Sequence, residues 1–166
     1  MDLAERDELA SLVDLAGRVQ EIMLARNLTL ATAESCTGGL IAYVLTEISG
    51  SSDYFVGGIV SYSNVLKERE LGVAASTLAE FGAVSEQTCA EMAEGARRRY
   101  GADFGVSATG IAGPGGGSES KPVGLTYVGV ADEHGHAVRR FAWAGDRHTN
   151  KVLSTEAALM LVLDRL

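Results

Sequence analysis

The sequence predicts an α/β fold: a single three-layer domain with a mixed β-sheet flanked by helices. Three observations carry that expectation. Helical and strand-like segments alternate through the first part of the chain, the order that builds parallel strands with helical crossovers. A hairpin follows late, which adds antiparallel strands. The chain has 166 residues, of which 46% are hydrophobic and 22% charged, enough for one core and too apolar for disorder. No repeat or internal linker divides it, so residues 1–166 are assigned to one domain. Its acidic start, 1–11, is expected to be a helical extension that frays.

Residues 2–26 read as one amphipathic helix, because Leu9, Leu12, Val13, Ala16, Val19 and Met23 recur at helical spacing. Asn27 ends it, and 28–33 is a first strand. A helix over 40–48 stops at the loop cluster Ser49-Gly50-Ser51-Ser52. Residues 54–63 read as a second strand with a glycine pair, Gly57-Gly58, that permits close backbone approach. Helices follow over 64–71 and 76–81. Ser85 then caps a helix that runs to Tyr100 and closes at Gly101, with Thr88 where a capping box usually has an acid. A strand over 103–109 leads into the glycine-rich loop 110–122. Strands over 122–131 and 137–144 flank a hairpin turn at 132–136. Gly145-Asp146-Arg147 ends the last strand, and a helix from Thr149 to Leu166 completes the chain.

Composition narrows function. Twenty-two acidic against 14 basic residues leave a net charge of −8, which argues against duplex nucleic acid as a partner. A small anionic ligand is still compatible, because a few local cations outweigh a global charge. Two cysteines, Cys36 and Cys89, make neither a disulfide framework nor a zinc motif. No run approaches the ~18–20 apolar residues of a membrane span, and the acidic N-terminus is no signal peptide. A soluble cytoplasmic protein is expected, with no membrane partner.

The chemistry is organised around Ala33-Glu34-Ser35-Cys36-Thr37-Gly38-Gly39, a strand–turn–helix junction. A helix N-terminus carries unpaired N–H donors and partial positive charge, which suit an oxyanion. Two readings fit Ser35: a helix cap, or a nucleophile with the amides of Cys36, Thr37, Gly38 and Gly39 as oxyanion donors. Cys36 is a rival nucleophile or a small buried hydrophobe. Four loops rich in Ser, Thr, Gly and cations, 34–39, 61–67, 107–122 and 145–151, converge on one crevice if their strands share a sheet edge. Lys67 and Tyr62 are then candidate proton carriers for Ser35, and a lysine base needs a lowered pKa; Tyr62 equally reads as an ordinary half-buried strand tyrosine. The competing reading of Lys67 is a solvated partner of Glu68 or Glu70. The 110–117 loop could cradle phosphate, though it is no P-loop, since no G-x-x-x-x-G-K-[ST] occurs. Arg147 suits a phosphate or carboxylate clamp, or a surface pair with Asp146 or an acidic neighbour. His134 and His136 read as a solvated hairpin tip, not a metal site, and His148 is the one histidine worth testing as a proton carrier.

Together these segments resemble the CinA C-terminal domain family, the nicotinamide-nucleotide amidases. The resemblance rests on 33–39, Ser61-Tyr62-Ser63-Asn64 with Lys67, Gly82-Ala83-Val84-Ser85-Glu86, Ser107-Ala108-Thr109-Gly110-Ile111-Ala112-Gly113-Pro114, Lys121-Pro122-Val123-Gly124 and Gly145-Asp146-Arg147. These occur in family order over about 12–166. The resemblance implies deamidation of nicotinamide mononucleotide to nicotinic acid mononucleotide and ammonia. Ser35 would attack the amide carbon, and Lys67 and Tyr62 would handle protons, with the base unassigned between them. It further implies substrate contacts at Asn64, Thr109, Gly110, Gly113 and Arg147, no metal or organic cofactor, and a homodimer. Where the family carries a second arginine after Gly-Asp-Arg, this chain has Lys151, a point charge without the arginine's fork. Some relatives fuse this domain behind a larger N-terminal one; this chain is expected to act without it. The alternatives are the same Ser/Lys machinery on another small amide, and a non-catalytic nucleotide-binding or competence-associated module. Retention of Ser35, Tyr62 and Lys67 favours the enzyme.

Overall fold

The computed structural model describes residues 3–166, with side chains from residue 6 onward. The elements in order are α1 (Leu3–Arg26), β1 (Leu30–Glu34), α2 (Leu40–Thr46), a 3-10 turn (Ser51–Asp53), β2 (Phe55–Val60), α3 (Asn64–Leu71), α4 (Ala75–Phe81), α5 (Glu86–Tyr100), β3 (Phe104–Gly110), β4 (Leu125–Asp132), β5 (Gly135–Ala142) and α6 (Arg147–Arg165). Met1 and Asp2 lie outside the described residues, so the expected fraying is not addressed there.

One five-stranded sheet runs in the order β2-β1-β3-β4-β5. β2, β1 and β3 are parallel, and β3, β4 and β5 are antiparallel, giving the mixed sheet the sequence predicts. The parallel half comes from the early helix–strand alternation and the antiparallel half from the late hairpin. Side-chain alternation splits the strands between two helical layers. Leu30, Val106, Ala108, Val128 and Val130 face α1, α2 and α6, joining Val19, Met23, Ile41, Leu45 and Leu159 in one core. Ala31 and Ala33 face the other way, with Leu71, Leu78, Met92 and Ala96 of α3, α4 and α5. Burial of each large aliphatic side chain in these layers contributes about 1.5–3 kcal/mol.

Several details differ from the sequence expectations. The second strand ends at Val60, so Ser61, Tyr62 and Ser63 form the loop that enters α3, with Ser63 Oγ accepting from the Leu66 N–H as its cap. Ser85 does cap α5 by accepting from the Thr88 N–H, but the Thr88 hydroxyl donates to the Gly82 carbonyl instead of closing a reciprocal box. Arg147 opens α6 instead of ending a strand. Asp146 is the cap, its carboxylate accepting from the Thr149 N–H, and β5 has already stopped at Ala142.

This topology places the site. The C-terminal ends of β1, β2 and β3, the start of β4 and the end of β5 all lie at one edge of the sheet. The turns after β1 and β2, the 111–124 loop and the 143–146 segment are therefore neighbours.

Candidate active site

β1 delivers Ser35 to that edge. The chain leaves the strand through Gly38 (φ 66°) and Gly39 (φ 99°), left-handed conformations that glycine adopts without steric cost. They turn the backbone tightly enough for α2 to start at Leu40. Ser35 sits on the α3–α5 side, and α3 brings Lys67 to it. Lys67 Nζ lies 3.1 Å from Ser35 Oγ and donates to the Ser61 carbonyl at 2.6 Å. The lysine is 1% exposed. Burial lowers its pKa from 10.5 to about 8, because no carboxylate compensates for the lost hydration of the ammonium. The surface-lysine alternative is thereby removed: Glu70 pairs with Arg69 and Arg99 instead.

The donors around Ser35 are fewer than the sequence suggests. The Gly38 N–H is used by the Ser35 carbonyl, and the Gly39 N–H by the Glu34 carboxylate. Glu34 also accepts from Ile41 and Ala42, so the first turn of α2 is occupied by a side chain of this protein. An oxyanion cannot use that helix terminus. Among the described residues, the Cys36 and Thr37 amides bond no backbone or carboxylate oxygen and lie against the Cys36 sulfur, a weak acceptor, so they are the donors left beside Ser35. Cys36 itself is buried, and that burial pushes its thiol up to about 12, which removes it as a thiolate nucleophile.

Tyr62 makes no hydrogen bond to Ser35 or Lys67. Its hydroxyl accepts from Arg147 at 3.0 Å, while the same guanidinium donates to the Gly113 carbonyl at 2.8 Å. Arg147 thus spans from the β2–α3 loop to the glycine-rich loop. A surface groove of about 430 Å³ runs beside it, lined by Ala112, Gly113, Pro114, Val123 and Gly145 among others. Lys151 Nζ, one helical turn further along α6, packs against Gly38, 3.5 Å from where a β-carbon on that glycine would stand. One helix therefore sets one cation, Lys151, beside the Ser35 turn and another, Arg147, beside the glycine-rich loop.

The remaining sequence candidates are placed as follows. Asn64 is exposed at the start of α3. Thr109 is buried, and its hydroxyl donates to the Ala83 carbonyl, which takes it away from any ligand. Gly110 ends β3 where an added β-carbon would press on the Leu125 carbonyl, so it serves close strand packing. His134 and His136 pair with Glu133 and Glu94, and His148 with Glu8, all on exposed surfaces. Among the described residues no three His, Cys, Asp or Glu side chains cluster as metal ligands would. A second cavity, of about 240 Å³ between Arg26, Phe104 and Arg165, lies at the opposite end of the sheet.

Two residues escaped the sequence reading. Glu34 lay in the motif without a role. Asn150, 1% exposed, donates to the Ala112 and Gly145 carbonyls and accepts from the Gly145 N–H, stitching the glycine-rich loop to the start of α6. A polar residue in register with Ser154, Ala158 and Leu161 on the buried stripe was the available signal.

With this geometry in hand, comparison with known proteins is decisive for family. The CinA C-terminal domain model matches residues 12–166. The chain belongs to the CinA C-terminal domain family. It is 52% identical over 157 residues to a CinA-like protein of Chloroherpeton thalassium, covering 92% of this chain and 37% of that one. It spans 34–38% of the length of the curated relatives it matches. Among solved structures, the competence/damage inducible protein CihA from Agrobacterium tumefaciens superposes with TM-score 0.87 at 43% identity, covering 92% of this chain and 94% of that one. A CinA superfamily protein from Escherichia coli gives TM-score 0.90 at 30% identity, over 100% and 94% of the two chains. The single α/β domain with a mixed sheet is the CinA superfamily fold. Among the described residues, no helix is long and apolar enough to cross a membrane.

Proposed function

We propose that this CinA domain is a serine amidase that deamidates nicotinamide mononucleotide. The observation that carries the reading is the contact between Ser35 Oγ and a buried lysine whose pKa is lowered to about 8. A neutral Lys67 donates one N–H to the Ser61 carbonyl and turns its lone pair towards the Ser35 hydroxyl. Ser35 Oγ attacks the carboxamide carbon while its proton passes to Lys67 Nζ. The resulting oxyanion takes hydrogen bonds from the Cys36 and Thr37 amides. Lys67 then returns the proton to the departing nitrogen, the C–N bond breaks, and ammonia leaves an ester on Ser35. Water attacks that ester, giving its proton to Lys67, which protonates Ser35 Oγ as nicotinic acid mononucleotide departs.

The amide is supplied by the resemblance to the nicotinamide-nucleotide amidases. The cations support the nucleotide part: Lys151 lies beside Gly38 of the Ser35 turn and Arg147 beside the glycine-rich loop, in a chain whose overall charge is −8. A phosphate monoester is what such a pair would select. The test is incubation with nicotinamide mononucleotide, following ammonia and nicotinic acid mononucleotide, with a chelator control. Stoichiometric appearance of both supports the proposal. Binding without turnover would favour a non-catalytic nucleotide module, and turnover of other small amides alone would move the substrate.

A further inference from the structure

We infer that Glu34 is the positioning residue of the nucleophile turn, resting on the serine-amidase reading above. Its carboxylate is 1% exposed and has no cationic partner among the described residues. Oε2 accepts from the Gly39 and Ile41 N–H groups at 2.9 and 3.1 Å, and Oε1 from Ala42 at 2.8 Å. Three amide donors satisfy lone pairs that burial removes from water. An ordinary cap sits at the helix boundary and satisfies one donor. Here the acid comes from the end of β1, spans the whole turn, and ties the residue before the nucleophile to the helix after it.

The consequence is a division of donors. Glu34 uses the amides on the α2 side of the turn, and the Ser35 carbonyl uses Gly38. Cys36 and Thr37 are left with only the weakly accepting Cys36 sulfur, held in place at both ends of the turn. The alternation of β1 makes this possible: Glu34 points to the α2 layer, so Ser35 points to Lys67. Glu34 thereby pins the oxyanion donors to the nucleophile without touching substrate.

Glu34→Gln tests this with little change in volume. A single amide carbonyl can replace Oε2, but the NH₂ then faces the Ala42 N–H, donor against donor. We expect kcat for nicotinamide mononucleotide to fall about 10–100-fold with KM little changed, and Glu34→Asp to recover part of the loss. A second readout is independent of the substrate assignment: phosphonylation of Ser35 by a fluorophosphonate. In that step the Ser35 O–P bond forms, the P–F bond breaks, fluoride leaves, and the serine proton passes to Lys67. Slower labelling of folded Glu34→Gln by a similar factor supports the inference, even if nicotinamide mononucleotide proves not to be the substrate. A lower melting temperature with unchanged kcat and labelling rate would make Glu34 a structural cap only. Wild type that labels no faster than Ser35→Ala would overturn both this inference and the amidase reading.

Discussion

Glu34 and Ser35 are neighbours in sequence but serve opposite layers of the fold. Glu34 is bound by three amides of the α2 segment, while Ser35 meets Lys67 of α3 on the other face of the sheet. A strand that ends in two such residues builds a junction between layers, and the candidate chemistry sits at that junction.

Lys67 must lose its proton to act as a base, so its lowered pKa sets the pH dependence. We expect kcat/KM to rise by roughly tenfold per pH unit below about 8 and level off above it. Lys67→Arg stays protonated and should lose about 10²–10⁴-fold. The same shift acts on stability. Between about 8 and 10.5 the unfolded chain holds a proton that the folded chain has released, so stability should climb across that window as pH rises. Denaturant titrations of wild type against Lys67→Met isolate this term. A flat difference between the two across the window would contradict the burial argument.

Cys36 should be dispensable as a side chain. Its thiol is buried and held up at about 12, and its contribution to the site is a backbone N–H that Cys36→Ala retains. We expect that variant to keep kcat within about tenfold, and native protein to resist iodoacetamide at neutral pH. Loss of all activity with an intact circular dichroism spectrum would return Cys36 to the list of nucleophiles.

Tyr62 and Arg147 should act on binding. Tyr62→Phe removes the hydroxyl that accepts from Arg147, and Arg147→Ala removes the cation. Hydrogen bonds to charged groups contribute about 1.5–3 kcal/mol, with the lower end apt for an exposed pair. KM for the mononucleotide should rise about tenfold in each, while weak turnover of the phosphate-free riboside should be unaffected. A fall in kcat at constant KM for Tyr62→Phe would instead put its phenol in proton transfer.

Gly95→Ala should destabilise the protein although alanine is the better helix former by about 1 kcal/mol. A β-carbon there collides with the Leu71 carbonyl, where α5 packs on the end of α3. We expect a net loss of about 1–3 kcal/mol in urea denaturation, with reduced activity, because α3 carries Lys67. Unchanged stability would show that the two helices can separate freely.

The layered fold was legible because its signals are local: the helical spacing of Leu9 to Met23 and the Ser85 cap need no partner to be recognised. Ser35 and Lys67 were legible as residue types in a motif, but their contact was not, since it depends on β1 and α3 meeting across 32 positions. Glu34 could not be assigned from sequence, because an acid at a strand end reads the same whether it faces solvent or a helix terminus. The Tyr62–Arg147 bond joins loops that only the sheet order makes neighbours. The start of α6 was misplaced because Gly145-Asp146 reads as a strand end, although Asp146 with Thr149 is also a capping pair.

The most direct measurement is the rate of ammonia release from nicotinamide mononucleotide by wild type and Ser35→Ala, side by side at pH 8. Turnover by wild type that falls at least 10³-fold in the variant, with its fold intact, is the result we expect. Equal ammonia release by both proteins would contradict a serine nucleophile at this site.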